Sequence, residues 1–499
     1  METLRGFYKS LRLWIIKSFL STAERKRASI GVLGVILAMI CGMAIFASAV
    51  PWRGTTDAPQ HLDYAWQLGH GNLPDFWQGT QAPLGRPKSK IQFVSHHPPL
   101  YYAILAPFVT PLLDDGHWVR ATAIARVISI IIGVLCVLAM AWGGWVIGGK
   151  RRALFAVAVP AIGSSLLAFY VAAEIMNDGL MMLFATLALV LSIRTVQSGI
   201  KTSYTAWLAV VCLGGMATKA SFFGTVLVVF VTLFIAAWLH TKGTWLQKLL
   251  PAIKASAIIT IVIAIGIGWF YVHNYQLSGS PFRNRPPGSA QNILPGKYET
   301  LPEVLTSPET WKMLTTGLYG RSWKILPRVG NQAINFWPSL LIILTVTYGA
   351  VAQIWKSRKK LTVIMWAIIG LLLLQFIITY GQQIAYSVGY GGVNRRYLLP
   401  AWLSFAGFMA VGALYFKKLR GQGVLLIVVL GWLSIMTSAT SILVRQFKVV
   451  MTNPIQALYT GITEKNDIPG LLLPVLIIGL VAGLTTQAII MWRLTAKKS

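Results

Sequence analysis

The chain has 499 residues, of which 55% are hydrophobic and only 12% charged, with a formal net charge of +30. Apolar stretches of about 20 residues recur throughout, each long enough to cross a hydrocarbon core of roughly 30 Å. That excludes a string of soluble domains and implies an all-α polytopic membrane protein. Nucleic acid, the first partner a charge of +30 suggests, is set aside below by where the charges fall.

Residues 1–28 form a basic, partly amphipathic segment (Arg5, Lys9, Arg12, Lys17, Arg25, Lys26 and Arg27 among Leu, Trp and Ile), suited to an anionic membrane surface. Transmembrane helices are expected at 29–50, 120–147, 153–173, 179–195, 204–218, 220–240, 255–275, 335–355, 361–381, 397–416, 423–444 and 469–492, about twelve in all. The loops between them alternate in charge. Lys150 to Arg152, Arg194 to Lys201, Lys242 to Lys254, Lys356 to Lys360, Lys417 to Arg420 and Arg493 to Lys498 fall in one set. By the positive-inside rule these face the cytoplasm, as do both termini (N-in/C-in). After Glu24, every Asp and Glu falls in the other set. Much of the basic excess is therefore a topology signal, and no nucleic acid is expected as a partner.

Tyr204 to His240 is basic at both ends, so an even number of crossings is needed. At about 1.5 Å per residue this stretch is too long for one span and slightly short for two. A tight hairpin turning at 217–221 resolves this and puts Lys219 at its outer tip, as a snorkelling lysine or with a partner. Two outer loops, 51–119 and 276–334, are long enough to fold, and tryptophans such as Trp52, Trp66, Trp77 and Trp118 suit the interface. The chain divides into the N-terminal segment 1–28, a transmembrane region 29–416 with both outer loops, and C-terminal helices in 417–499. Cys41, Cys136 and Cys212 lie in apolar spans and read as small buried hydrophobes. No N-x-Ser/Thr sequon occurs, which favours a bacterial cytoplasmic membrane.

The residues that can carry chemistry converge on the outer face: Asp57, His61 and Asp63; His96 and His97; Glu174, Asn177 and Asp178; Lys219; and Asn394, Arg395, Arg396 and Tyr397. Carboxylates beside cations suit a reaction between a hydroxyl and a phosphorylated lipid. A carboxylate takes the proton of the attacking hydroxyl, and Lys or Arg stabilises charge developing on the leaving phosphate. Each cluster also has a duller reading. Asp57 is placed to cap a helix opening near Pro59, Asn177 and Asp178 to cap the next span, His96 and His97 to order a loop against Pro98 and Pro99, and the arginines to anchor an interface. No zinc pattern, nucleotide-binding loop or other cofactor motif occurs. A divalent cation, Mg or Mn, held by Asp57 and Asp178 beside a phosphate is chemically reasonable.

The order of these motifs resembles a known family. An acid just after the first span, His96-His-Pro-Pro-Leu-Tyr-Tyr102, Asn177-Asp-Gly-Leu180 opening a span, Thr218-Lys219 in a short hairpin and Arg396-Tyr-Leu-Leu-Pro400 opening a late span are similar to the GT-C fold membrane glycosyltransferases. Within them, the protein O-mannosyltransferase and lipid A aminoarabinose transferase branch is most similar. The resemblance covers roughly 30–400. It implies a sugar carried on a polyprenyl phosphate and transferred to an extracytoplasmic lipid-linked glycan, cell-surface polymer or protein. It also implies that Asp57 and Asp178 are the catalytic acids and that His97, Lys219 and Arg396 lie near the donor phosphate, which Arg395 is expected to help hold. His61, Asp63, His96, Glu174, Asn177 and Tyr397 would support them. Where the family often has Asp-Glu, this chain has Asp57-Ala58, which leaves Asp63 or Glu174 to replace the second acid, or one acid to suffice. The rival class is a lipid or glycan transporter or flippase, which predicts mid-membrane charges and related halves. Mid-span charges are scarce here, and the halves do not look alike.

Overall fold

The computed structural model describes residues 22–49, 57–85, 88–165, 174–282, 300–308, 310–311, 332–390, 395–416, 421–447 and 469–496, with Tyr459 and Thr463; side chains at 332–339, 389–390, 395, 434 and 437–447 are outside the description. Among the described residues, regular structure is entirely helical. In chain order the helices are α1 (Ala23–Ala49), α2 (Ala58–Gly69), α3 (Leu100–Asp114), α4 (Trp118–Ile147), α5 (Arg152–Ser164), α6 (Asp178–Ser198), α7 (Thr202–Met216), α8 (Phe223–His240) and α9 (Trp245–Ser278). The short α10 (Leu301–Thr306) is followed by α11 (Gln332–Ser357), α12 (Val363–Tyr390), α13 (Trp402–Tyr415), α14 (Gln422–Phe447) and α15 (Leu472–Ala496). A 3-10 segment, Arg395–Ala401, leads into α13.

Each expected span overlaps described helix, although 166–173 of the span expected at 153–173 lie outside the described residues, and nine helical segments among the described residues are long and apolar enough to cross a membrane. Leu100–Asp114, Thr202–Met216 and Gln422–Leu433 are apolar but shorter. Three boundaries differ from expectation. The first helix already begins at Ala23, so Arg25 to Arg27 are helical; residues 1–21 of the basic segment lie outside the described residues. α9 starts at Trp245, inside what reads as a basic loop, because Thr244 and Gln247 form a reciprocal capping box. Within the first outer loop, α3 forms despite Pro107 and Pro111. Most of 276–334 lies outside the described residues.

Small residues let the helices approach closely. α15 lies along α1, where a Cβ on Gly483 would stand 2.5 Å from the Ala38 backbone nitrogen. α11 and α13 meet at Gly349 and Gly412, where a side chain would overlap backbone. Close backbone approach of this kind is a main source of helix association within lipid. The most enclosed spans are α6 and Arg396–Tyr415, each 83% buried, and both begin at the site described next.

The two ends of the bundle differ in chemistry. At one end, Arg25 and Arg152 lie over the Trp145 ring (5.8 and 4.7 Å), Gln197 Nε2 donates to the Val146 carbonyl, and the His240 ring meets the Val196 carbonyl. This is the end of the basic turns. At the other end Arg126 donates to the Ala47 carbonyl, the Leu100 N–H to the Ala217 carbonyl and Asn274 to the His96 carbonyl. Asp57, Asp178, Lys219 and Arg396 are gathered there.

Candidate active site

Pro59 sits in the first turn of α2 and Asp57 immediately precedes the helix. The Asp57 carbonyl accepts from the N–H groups of Gln60 and His61 (3.0 and 3.1 Å), but its side chain makes no capping bond. Instead Oδ2 accepts from Arg396 Nη1 at 2.8 Å. The carboxylate is thus spent on a residue 339 positions away, and the capping role open to it in the sequence is not the one it takes.

Asp178 opens α6, with Asn177 before it and again no side-chain cap. The Asn177 Nδ2 donates to the Thr218 carbonyl at 3.0 Å, which fixes the turn between α7 and α8. The next residue, Lys219, points inward and places Nζ 2.5 Å from Asp178 Oδ1, with side-chain exposures of 6% and 2%. Such burial is incompatible with snorkelling to the lipid surface. Removing one partner of a buried pair strands the other charge and costs about 3–5 kcal/mol, so this pair is a fixed part of the site.

Tyr397 stands between the two cations. Lys219 Nζ is 4.8 Å from its ring centroid and Arg396 Cζ is 5.3 Å away. Arg396 also reaches Met176 Sδ at 3.4 Å and the Tyr397 hydroxyl at 3.5 Å. The 3-10 segment carrying both residues is clamped from α12: the buried Gln375 Nε2 donates to the Pro400 carbonyl (3.2 Å) and to Thr225 Oγ1 on α8 (3.1 Å). Tyr386 meets the Tyr397 ring edge-to-face at 5.0 Å. Asn394 and the side chain of Arg395 lie outside the described residues.

His61 follows Asp57 by one helical turn and is 2% exposed. Its Nδ1 lies 2.9 Å from the Tyr102 hydroxyl, Tyr102 stacks on Tyr64 at 3.7 Å, and the Tyr64 hydroxyl donates to the His97 carbonyl at 2.8 Å. Burial pulls the His61 pKa down to about 4 against the opposing charge of Asp57, and burial holds His97 well below its ordinary value. Both imidazoles are therefore neutral near neutral pH, so His97 can offer a phosphate a hydrogen bond but no charge. His96 packs against His97 with rings 4.1 Å apart and turns Nδ1 to the Phe93 carbonyl, the loop-ordering role.

Two candidate acids leave the site. Asp63 lies six residues beyond Asp57, off the face that carries Asp57 and His61. Its Oδ1 accepts from the N–H groups of Gln81 and Ala82 (2.5 and 2.7 Å), and Oδ2 from the side chains of Gln67 and Gln92 (2.8 and 2.5 Å). Burial pushes its pKa up, with these four donors working against that. The residue organises the loop that follows α2. Glu174 is 1% exposed and its charge acts on Arg126, a half-buried residue of α4 whose Nη1 donates to the Ala47 carbonyl at 3.0 Å. That pair braces the end of α1. It was hidden in the sequence because Arg126 sits inside an apolar span with nothing nearby in the chain to pair it.

Among the described side chains the charges of the site pair: Asp57 with Arg396, Asp178 with Lys219. Among the described residues no three His, Cys, Asp or Glu side chains gather as a metal would require. Asp57 and Asp178 each face a cation in this arrangement, Arg396 and Lys219.

No family model and no curated protein matches the chain. Among solved structures it is similar to ArnT from Cupriavidus metallidurans bound to undecaprenyl phosphate, at 12% identity and a TM-score of 0.45, over 93% of this chain and 77% of that one. It is also similar to the oligosaccharyltransferase of Archaeoglobus fulgidus (13%, TM-score 0.42, 94% and 56%) and to the arabinosyltransferase EmbB from Mycobacterium smegmatis (12%, TM-score 0.43, 90% and 41%). The chain thus spans little more than half the length of the oligosaccharyltransferase and less than half that of EmbB. The oligosaccharyltransferase has also been solved with Zn and sulfate. These neighbours are GT-C fold glycosyltransferases, the class the motif order resembles. Likeness at this level does not extend to substrate.

Proposed function

We propose that the chain is an integral membrane glycosyltransferase that moves a sugar from a polyprenyl-phosphate donor to an extracytoplasmic acceptor: a lipid-linked glycan, a cell-surface polymer or a protein. The observation that carries this reading is the meeting of Asp57, Asp178, Lys219 and Arg396 around the Tyr397 ring, from four separate segments of the chain. Transfer to a hydroxyl needs a base on one side of the sugar and positive charge on the other. Those are the two kinds of group assembled.

Exposure supports a division of roles. Asp57 is 28% exposed and is the carboxylate a substrate can touch. It accepts the acceptor's proton as the acceptor oxygen bonds to the sugar C1. The C1–O bond to the phosphate breaks, its electron pair goes to the phosphate oxygen, and polyprenyl phosphate leaves. Arg396 holds the phosphate with its planar fork, joined by Arg395. Asp178 is positioning: it fixes Lys219, whose field offsets the growing negative charge. His97 supplies a neutral contact, and the Tyr397 ring packs against both cations.

The alternation of loop charge supports about twelve crossings, with the basic turns in the cytoplasm and the site on the extracytoplasmic face of a bacterial cytoplasmic membrane. On this reading, residues 29–416 are the catalytic region, and 417–499 supply helices that complete the bundle. Supplying the purified protein with a labelled polyprenyl-phosphate sugar tests the activity. Label should leave the lipid with wild type and stay on it with Asp57→Asn.

A further inference from the structure

The two ion pairs of the site are held with unequal strength. Lys219 and Asp178 are 6% and 2% exposed, so separating them would strand a charge in the protein interior. Arg396 and Asp57 are 19% and 28% exposed, and a released Asp57 would still meet water. Two further contacts of the guanidinium, to Met176 Sδ at 3.4 Å and the Tyr397 hydroxyl at 3.5 Å, are long. An anion entering beside these two described pairs can draw a cation from its carboxylate, and Arg396–Asp57 is the pair that can open.

We infer that the donor phosphate unmasks the base: it takes Arg396 from Asp57, and Asp57 becomes a competent proton acceptor only once donor is bound. The inference rests on the glycosyltransferase reading and adds an order of events to it. A guanidinium is as well matched to a phosphate as to a carboxylate, so the exchange trades one forked partner for another. It leaves Asp57 without its cation partner, which favours proton uptake from the acceptor. After transfer the proton is on Asp57. When Asp57 gives that proton to solvent, its carboxylate competes again for Arg396 and helps to displace the polyprenyl phosphate product. Donor binding and acceptor activation are thereby coupled through one side chain.

The test is a binding cycle with undecaprenyl phosphate and the full-length protein in lipid nanodiscs, with no acceptor present. Removing the competing carboxylate in Asp57→Asn should tighten binding about fivefold, the worth of an ion pair at partial exposure. Arg396→Met should weaken binding, and in that background Asp57→Asn should change nothing further. Asp57→Ser carries the same expectations, and thermal melts of every variant confirm that it is folded. Equal or weaker binding by Asp57→Asn and Asp57→Ser would overturn the exchange while leaving the glycosyltransferase reading intact. The same tightening in the Arg396→Met background would overturn it too, because simple repulsion between Asp57 and phosphate would then explain it. Failure of wild type to bind undecaprenyl phosphate would remove the glycosyltransferase reading itself, and the exchange with it.

Discussion

Lys219 Nζ lies 2.5 Å from Asp178 Oδ1, and both side chains are almost sealed from solvent. This makes Lys219 as much a structural residue as a functional one. Lys219→Met keeps the stem but leaves Asp178 buried without its cation, and should lower stability by about 3–5 kcal/mol. Lys219→Met with Asp178→Leu removes both charges and should regain most of that loss. Thermal unfolding in detergent compares the variants. A single variant as stable as wild type would mean that the pair carries no structural load.

Asp63→Asn should loosen the loop after α2. All four groups around this carboxylate are N–H donors, and an amide would turn an NH₂ against at least one of them. The expected cost is about 1–3 kcal/mol for a buried polar group left unmatched. Limited proteolysis between Phe76 and Gln92 should accelerate in the variant. Unchanged cleavage would show that the loop is held by other contacts.

Acid should destabilise the fold through His61. With a folded-state pKa of about 4 against an ordinary 6.5, the unfolded chain binds the proton first. Stability from this residue is therefore complete above pH 6.5 and falls as pH drops towards 4, by an amount on the order of 3 kcal/mol. His61→Gln should flatten the dependence of melting temperature on pH across that window. An equally steep dependence in the variant would assign it to other groups.

The spans were legible in the sequence because membrane thickness fixes their length. Their ends were less so: the start of α9 was masked by Lys248 and Lys254, although Thr244 and Gln247 carried the capping signal. α3 was missed because 15 residues with two prolines resemble neither a span nor an ordinary loop. Asp57, Asp178, Lys219 and Arg396 were legible as members of one face. Their pairing was not, since nothing local in the chain relates Asp57 to Arg396. Asp63 and Glu174 share the same one-sided signal, and only their partners separate them from Asp57 and Asp178.

The proposed topology is open to labelling. Lys88 and Lys359 are exposed, in the loop after α2 and in the basic turn before α12. A cysteine at position 88 should react with an impermeant maleimide on intact cells, and one at position 359 only after permeabilisation. The reverse pattern would place the site on the cytoplasmic face.

In the proposed mechanism Asp57 is the base of a sugar transfer from a lipid phosphate. The most direct measurement supplies wild type and Asp57→Asn, each purified and reconstituted, with a radiolabelled undecaprenyl-phosphate sugar and envelope-derived acceptors, and follows label leaving the lipid fraction. General-base catalysis contributes about 10²–10⁴-fold, so the variant should be slower by at least that range at saturating donor. Transfer by Asp57→Asn at the wild-type rate, or no transfer by wild type, would contradict the account.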